Sequence, residues 1–518
     1  MTTAPDNPLA PMVVDVTSTG TVQRSARRGY DAAKVDRANA YWRPTNRAAD
    51  LELLADADAI RARARDLVRN NAYARGILRA ELRNVVGCGI KPQARVETAD
   101  GKPNEEFNRA AEQLFARWQR VADVSGRMTF YELQRLALSE VREAGEVLVH
   151  FVRDDDDRAR PLPFAIELIE ADRLASDRLW PRGVNPDTGN EVRRGVEINA
   201  KGQAVAYWLY PTNPNDLNTL LVRPVRHDAA DFLHLYRVDR VGQTRGVSDF
   251  AISSRWGRNL HYYVDNEMQS SAVASCFTAA VTTMGGPADG GLVDTIDDDA
   301  TDTDGNSFEY MQPGMVARLM PGEDVKVIDP SRGQTESKTW VDLMLRSMGV
   351  GHGMSYERVA RDYSQTNFSS NRASDLEDRR EFRPTQDWLI EHMCVPVWQR
   401  FIVAAVEAAE SGRLGFDEFP SATQLLGNHH HWTAVEFRPP GWEWVDPKNQ
   451  AIAIHQALED NMTTLADELG AKGKDWREVL LQRAAEKKYM RERGLTAADA
   501  AQAVTGPVEP STDGPDAE

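Results

Sequence analysis

Cysteine is scarce in this 518-residue chain: Cys88, Cys276 and Cys394 stand far apart and form no CxxC pair. That excludes a disulfide framework and a structural zinc knot, and it suits a reducing compartment. No apolar run approaches the ~20 residues of a membrane span, so no membrane is expected among the partners. The opening stretch MTTAPDNPLAPMVVDVTSTG has no basic segment leading into an apolar one, so no secretory signal is read there. Positive charge is in deficit: 62 Lys and Arg stand against 79 Asp and Glu, a net charge of −17. Such a chain does not wrap nucleic acid over its whole surface, because phosphate is held by cations.

Catalytic signatures are missing as well. There is no GxxxxGK[ST], no HExxH and no GxSxG, which excludes a P-loop ATPase, a zincin and a nucleophile-elbow hydrolase. DDATDTDG (298–305) looks superficially like a calcium loop, but the register fails. With Gly305 at the invariant glycine, Ala300 falls on the first ligand position and Met311 on the closing one. His429, His430 and His431 are adjacent, and three consecutive side chains of a regular element cannot all face one ion; a polar exposed loop is expected. GVGHGM (349–354) follows no strand, as a nucleotide fingerprint would. No catalytic residue, metal or cofactor is therefore expected.

Hydrophobic residues make up 41% and charged residues 27%. A chain of this length and composition buries sizeable cores in two to four domains or sub-domains. Met1–Gly20 and Val504–Glu518 read as disordered. Charge is uneven. Thr21–Arg95 holds 16 Lys and Arg against 8 Asp and Glu, whereas Gly285–Tyr310 has eight acids and no base. Such asymmetry suits different surfaces for different partners.

Apolar spacing predicts one long helix over Leu51–Val86, capped by Asp50 and stopped by Gly87, with Ile60, Leu67, Leu78, Leu82 and Val85 on its apolar side. Arg61, Arg65, Arg69, Arg75, Arg79 and Arg83 decorate the rest: a solvated face, or a contact with phosphate or an acidic partner. A strand is expected at Ile90–Val96, then helices over Asn104–Val121 and Thr129–Ala144, the second with a Thr129–Glu132 capping box. Strands follow at 145–152, 164–170, 191–199, 203–210 and 231–236, with a hairpin around Asn199–Gly202. This is an α+β body.

A second long helix is expected from Ser248 to about Met284. Ile252, Trp256, Leu260, Val264 and Met268 recur every four residues, and small residues crowd its end. At ~1.5 Å per residue it would exceed ~40 Å. One thin apolar seam on so long a helix suits packing beside other helices. The insertion 285–330 carries expected strands at GMVARL (314–319) and DVKVID (324–329), and a third helix spans Gln334–Gly349.

The oddest stretch is RDYSQTNFSSNRASDLEDRREF (361–382). Seven of the nine residues from Ser364 to Arg372 are Ser, Thr, Asn or Gln. No His or Lys base stands near these serines in sequence. Ser369 or Ser370 is the expected cap, Asp375–Arg379 and Glu377–Arg380 are favourable pairs, and only Ala373, Leu376 and Phe382 are core-like. Pro384 is a candidate kink before the amphipathic segment 388–409. The residues from Asp446 to Leu495 are helical, rich in Ala, Glu and Lys.

Four ordered stretches resemble the lambda-type phage portal proteins: RARARDLVRNNAYARGILRAELRNVVGCGIKPQARV (61–96), HLYRVDRVGQTRGVSDFA (234–251), MSYERVARDYSQTNFSSNRASDLEDRREF (354–382) and WEWVDPKNQAIAIHQAL (442–458). The resemblance covers roughly Tyr41–Leu495. His352 departs from it, standing where that family is expected to carry an apolar or small residue.

The resemblance implies a portal fold: an α+β wing, paired long stem helices, a small α/β clip insertion, a tunnel helix and a helical C-terminal crown. The implied division is a disordered arm 1–23, wing 24–247, first stem helix 248–284, clip 285–333, second stem helix 334–349, tunnel loop and helix 350–393, the rest of the wing and the crown 394–503, and a disordered tail 504–518. It implies a ring of identical subunits, typically a dodecamer, at one vertex of the capsid of a virion assembled in the host cytoplasm. Double-stranded DNA passes through the channel during packaging and ejection. Partners are the terminase large subunit, a head–tail adaptor, and the major capsid and scaffold proteins. Arg358, Arg361, Ser364, Gln365, Asn367 and Asn371 are the expected DNA contacts. Asp294, Asp297, Asp298 and Asp299 are expected to dock terminase or adaptor. Trp256, Leu260, Val264 and Arg379 are expected between subunits. The alternatives are a DNA-processing hydrolase using side chains from 352–380, and a capsid or adaptor protein without long paired helices.

Overall fold

A computed structural model describes Tyr41 and residues 44–495, apart from gaps at 157–158, 177–179, 181–182, 217–222, 277–279, 284–322, 327–333, 416–417, 443–446, 471 and 475. The described residues from Ala49 onward belong to one compact unit.

Two helices replace the single one expected at the start: α1 (Ala49–Asn70) and α2 (Ala72–Val85). Asn71 breaks the run. Its backbone is extended, and its side chain accepts from the N–H groups of Tyr73 and Ala74 to cap α2. Its Nδ2 also donates to Gly257 O at 3.2 Å. Asp50 is no cap; it lies inside α1, accepting from Thr244 N at 2.8 Å and pairing with Arg193. Gly87 ends α2 at φ 52°, its N–H reaching back to Leu82 O.

Strand β1 (Lys91–Ala94) leads to α3 (Glu105–Trp118) and α4 (Phe130–Ala144), which has the Thr129–Glu132 capping box. The strands β2 (Glu146–Arg153), β3 (Phe164–Glu170), β4 (Glu191–Arg193), β5 (Val196–Ile198), β6 (Ala204–Leu209), β7 (Val225–Asp228) and β8 (Phe232–Tyr236) follow. The expected strand 191–199 is itself a hairpin. Arg194 at φ 45° and Gly195 at φ 84° turn β4 back on β5. One antiparallel sheet runs β3-β2-β8 and another runs β4-β5-β6-β7. Leu148, Ile169, Leu174, Val196, Ile198, Tyr207, Leu209 and Phe232 form a small core shared by residues of both sheets.

Helix α5 (Ser254–Cys276) stops short of the expected end. Ala280–Thr283 is strand β9, paired antiparallel with β10 (Glu323–Lys326). Val281, Thr282 and Thr283 are β-branched, which favours the extended chain. Strand β10 overlaps the expected 324–329; 314–319 lies outside the described residues. Then come α6 (Gln334–Gly351), the short α7 (Tyr356–Ala360), α8 (Phe368–Leu389), a π-helical turn at Ile390–Cys394, and α9 (Val395–Glu410). Short helices α10 (Ala422–Gly427) and α11 (His429–Trp432) precede β11 (Val435–Arg438), which pairs antiparallel with β1 and so closes the fold across the chain. The three histidines form one helical turn, not a loop. Helices α12 (Pro447–Glu459), α13 (Leu465–Gly470) and α14 (Trp476–Glu492) end the description.

The main core joins α2, α3, α4 and α9. At its centre Phe115 meets Trp118, Phe130, Trp398 and Phe401, with ring centroids 5.1–5.7 Å apart. Trp118 stacks on Phe164 at 5.2 Å and donates its indole N–H to Phe164 O at 2.8 Å. The helical run Ser369–Glu410 is long and apolar enough to cross a membrane, but 56% of its apolar window lies inside this fold. It is a core helix.

Candidate functional site

Helices α5 and α6 pack side by side. Ser337 Oγ donates to Glu267 Oε1 across the pair at 3.3 Å. The apolar seam of α5 splits in two. Leu260 is 1% exposed and belongs to the subunit's own core. Trp256 and Val264 are 40% and 37% exposed, Tyr262 and Met268 lie open on the same helix, and Ile252 lies open just before it. On α6, Trp340, Leu343 and Val350 are open too. Apolar side chains this large, repeated along two paired helices, mark an interaction face. At the base, Gly257 sits so close to α1 that an added Cβ would fall 2.7 Å from Leu67 Cδ1. A side chain there would require Leu67 to shift.

The chain then turns through Gly349–Met354 into the polar stretch. His352 Nε2 lies 2.9 Å from Ser253 Oγ, and its ring tilts against Phe250 at 4.7 Å. Burial lowers its pKa to about 4; Asp249 opposes that shift and Arg142 adds to it. The ring is therefore neutral at neutral pH and fills an internal position. That is how a histidine serves where an apolar or small residue was expected.

Below it Asp378, on the inner face of α8, is almost wholly buried. It accepts from Ser355 N and Ser355 Oγ, both at 2.8 Å, and pairs with Arg358. Arg358 also reaches Asp375 at 2.5 Å and lies over the Phe382 ring at 5.4 Å. Asp375 in turn takes Arg379 at 2.5 Å, and Arg379 lies over Trp442 at 5.8 Å. Tyr356 donates to Asp342 Oδ1 at 2.8 Å, with Arg346 over its ring. These links bind α6, α7 and α8 into one unit. Hydrogen-bonded charge pairs of this kind are strong when both partners are held in place.

The loop between α7 and α8 stands outside that unit. Arg361, at φ 53°, begins it. Arg361, Ser364, Gln365 and Asn367 are exposed, and Asn371 is half-buried. Asp362 accepts from Ser364 N, and Thr366 Oγ1 donates to Tyr363 O, so the loop is shaped by local turns. Asn367 caps α8 with a capping box shared with Ser370, where Ser369 or Ser370 was expected. The pairs Asp375–Arg379 and Glu377–Arg380 form as expected. Of the expected core positions only Phe382 is buried; Ala373 and Leu376 are exposed. The helix buries Asp378, Thr385, Gln386 and Leu389 instead.

The expected DNA residues therefore divide. Arg361, Ser364, Gln365 and Asn367 come together on one exposed loop. Arg358 is 15% exposed and committed to two carboxylates within the subunit. Of the expected interface residues, Trp256 and Val264 share the open seam, Leu260 is internal and Arg379 is mostly tied down. Asp294, Asp297, Asp298 and Asp299 lie outside the described residues. The roles of Ser355, Asp342 and Asp378 were not anticipated. Their partners stand 14 to 23 residues away, and no local spacing signals such pairs.

A family model described as "Phage portal protein, lambda family" matches residues 35–386. The chain is 29% identical over 462 residues to a probable portal protein of Halomonas phage phiHAP-1, covering 86% of this chain and 84% of the relative. It is 24% identical to the portal protein of Escherichia phage N15 and 23% identical to portal protein B of Escherichia phage lambda, each over 495 residues and 88% of both chains. Among solved structures, a chain in the neck of an empty gene transfer agent particle aligns with a TM-score of 0.40 at 14% identity, covering 74% of this chain and 94% of that one. A chain from the neck of the native particle also gives 0.40, at 12% identity, covering 71% and 92%. With the family match spanning well over half its length, this chain belongs to the lambda family of phage portal proteins.

Proposed function

We propose that the chain is the subunit of a closed ring, a dodecamer, that sits at the unique capsid vertex of a virion and conducts double-stranded DNA during packaging and ejection. Its family membership over residues 35–386 carries the reading. The open seam of α5 and α6 supports it, because a ring needs a repeated side-to-side contact. In this reading α5 and α6 are the stem, and Trp256 and Val264 meet the neighbouring subunit. The β9–β10 pair opens and closes the clip. The eight acids of Gly285–Tyr310, among them Asp294, Asp297, Asp298 and Asp299, dock the terminase large subunit and later a head–tail adaptor. Major capsid and scaffold proteins contact the outside during assembly in the host cytoplasm.

The exposed loop that holds Arg361, Ser364, Gln365 and Asn367 lines the channel and touches DNA weakly. Arg358 supports that loop from behind. The portal itself is structural; hydrolysis of ATP is the work of the terminase motor. Native mass measurement on the purified 57.8 kDa chain tests the reading. Closed assemblies near twelve copies support it. A monomer at micromolar concentration, in buffers with and without crowding, contradicts it.

A further inference from the structure

The structure sorts six of the seven arginines of the first two helices into separate groups. Arg61 is buried and donates to Glu146 at 3.1 Å, in a cluster completed by Arg245 and His234. Arg65 pairs with Asp172 at 2.8 Å, and Arg69 with Asp66 at 3.3 Å. Arg61 and Arg65 are tied into the fold, and Arg69 is held in an exposed pair within its own helix. Arg75, Arg79 and Arg83 are different. They recur every four residues on the exposed side of α2, opposite the buried Ala74, Ile77, Leu78, Glu81 and Val85. Arg75 acts on Glu143 of α4. Among the described residues, no carboxylate pairs with Arg79 or Arg83. Gln386 of α8 donates to Asn84 O and Val85 O at 3.0 and 3.3 Å. That places Arg383, exposed one turn earlier on α8, beside the same end of α2. It too has no carboxylate partner among the described residues.

Like charges at i,i+4 cost a helix a few tenths of a kcal/mol per pair. Arg83 recovers part of that cost, because a cation in the last turn of a helix meets its negative end. Arg79 sits mid-helix and recovers none. The stripe also lacks what a protein partner would use: its other exposed position on α2 is Ala72, Gly76 beside it is half-buried with open space around it, and the half-buried Tyr73 and Leu82 pack against the core rather than standing out as anchors. All its cations are arginine, whose planar fork matches phosphate oxygens two at a time. In a chain of net charge −17, an uncompensated arginine stripe on small residues fits a phosphate backbone.

We propose that Arg79, Arg83 and Arg383, with Arg75 at the edge, form a second contact for duplex DNA, distinct from the loop 361–367. The contact is sequence-independent and made to phosphates. The choice of DNA as the polyanion rests on the DNA-conducting reading above, so assembly is scored separately from binding.

The test uses the full chain and a fluorescent 40-base-pair duplex of mixed sequence, titrated by anisotropy between 50 and 200 mM salt. Wild type is compared with Arg79→Ala/Arg83→Ala/Arg383→Ala and with the corresponding triple lysine variant. Native mass and thermal melting are recorded for each. The expected result is a loss of affinity of about tenfold or more in the alanine variant, with a salt slope shallower by roughly 2–3, about one per phosphate contact. The lysine variant keeps the slope and binds more weakly than wild type. Unchanged affinity and slope in the alanine variant, with wild-type mass and melting, would overturn the proposal. So would wild-type protein that binds no duplex at 50 mM salt while forming normal assemblies. Retained DNA binding in a chain that fails to assemble would spare the contact and sink the ring.

Discussion

Asp378 shows how much one side chain carries. A buried carboxylate is tolerated only when it is paired and hydrogen-bonded, and here Arg358 supplies the countercharge and Ser355 two hydrogen bonds. Arg358→Ala leaves that carboxylate uncompensated and should cost on the order of 3–5 kcal/mol of subunit stability, measured by denaturant unfolding. A loss no larger than that of an exposed arginine would place Arg358 on the surface after all. Glu140 is a second case. Burial pushes its pKa up to about 7, against the pull of Arg65. The folded chain therefore binds that proton more tightly than the unfolded chain. Its contribution to stability is greatest below the unfolded value and is lost as pH rises through about 7. Glu140→Gln should flatten the stability profile between pH 5 and 8 by on the order of 1–3 kcal/mol. His352 works in the opposite direction. Its lowered pKa means stability falls as pH drops from about 6.5 to about 4. An NMR titration of its ring should show it neutral at pH 6; a midpoint near 6.5 would deny its burial.

Elements were legible where local chemistry decides them. The Thr129–Glu132 box, the Asn199–Gly202 turn and the Gly87 stop all follow from a few neighbouring residues, and each forms. The break at Asn71 was not legible, because its extended backbone is secured by a bond to Gly257, 186 residues away. Strand β7 escaped for a related reason: its burial pattern is largely exposed, and its place is fixed by pairing with β6. Helix α8 misled because its inner face is mixed: Asp378, Thr385 and Gln386 are buried there beside the apolar Phe382 and Leu389. The seam of α5 yields a discriminating pair. Leu260→Ala should destabilise the subunit itself by about 2–5 kcal/mol. Trp256→Ala should leave subunit melting nearly unchanged and weaken assembly, read by native mass against dilution. Equal effects of both on the isolated subunit would remove Trp256 from the interface. Deleting Ser364–Asn367 should permit assembly yet impair retention of packaged DNA; full retention would make the loop a mere connector.

For the whole molecule, the sequence motifs pointed to the family before any coordinate did, and the match over residues 35–386 bears that out. The division of labour among arginines did not follow from the motifs. Arg61, Arg65, Arg79 and Arg83 look alike in a helical repeat and separate only when Glu146, Asp172 and the open side of α2 are in view. Assembly is the next step up in scale, and in the proposed ring the exposed face of α5 and α6 is the surface to be covered. The decisive measurement is a cryo-EM reconstruction of the purified full chain. A portal subunit gives a closed ring with Trp256 and Val264 buried between neighbours and residues 361–367 at the wall of the central opening. A monomer, or a ring with that loop on its outer surface, would contradict the proposed DNA path.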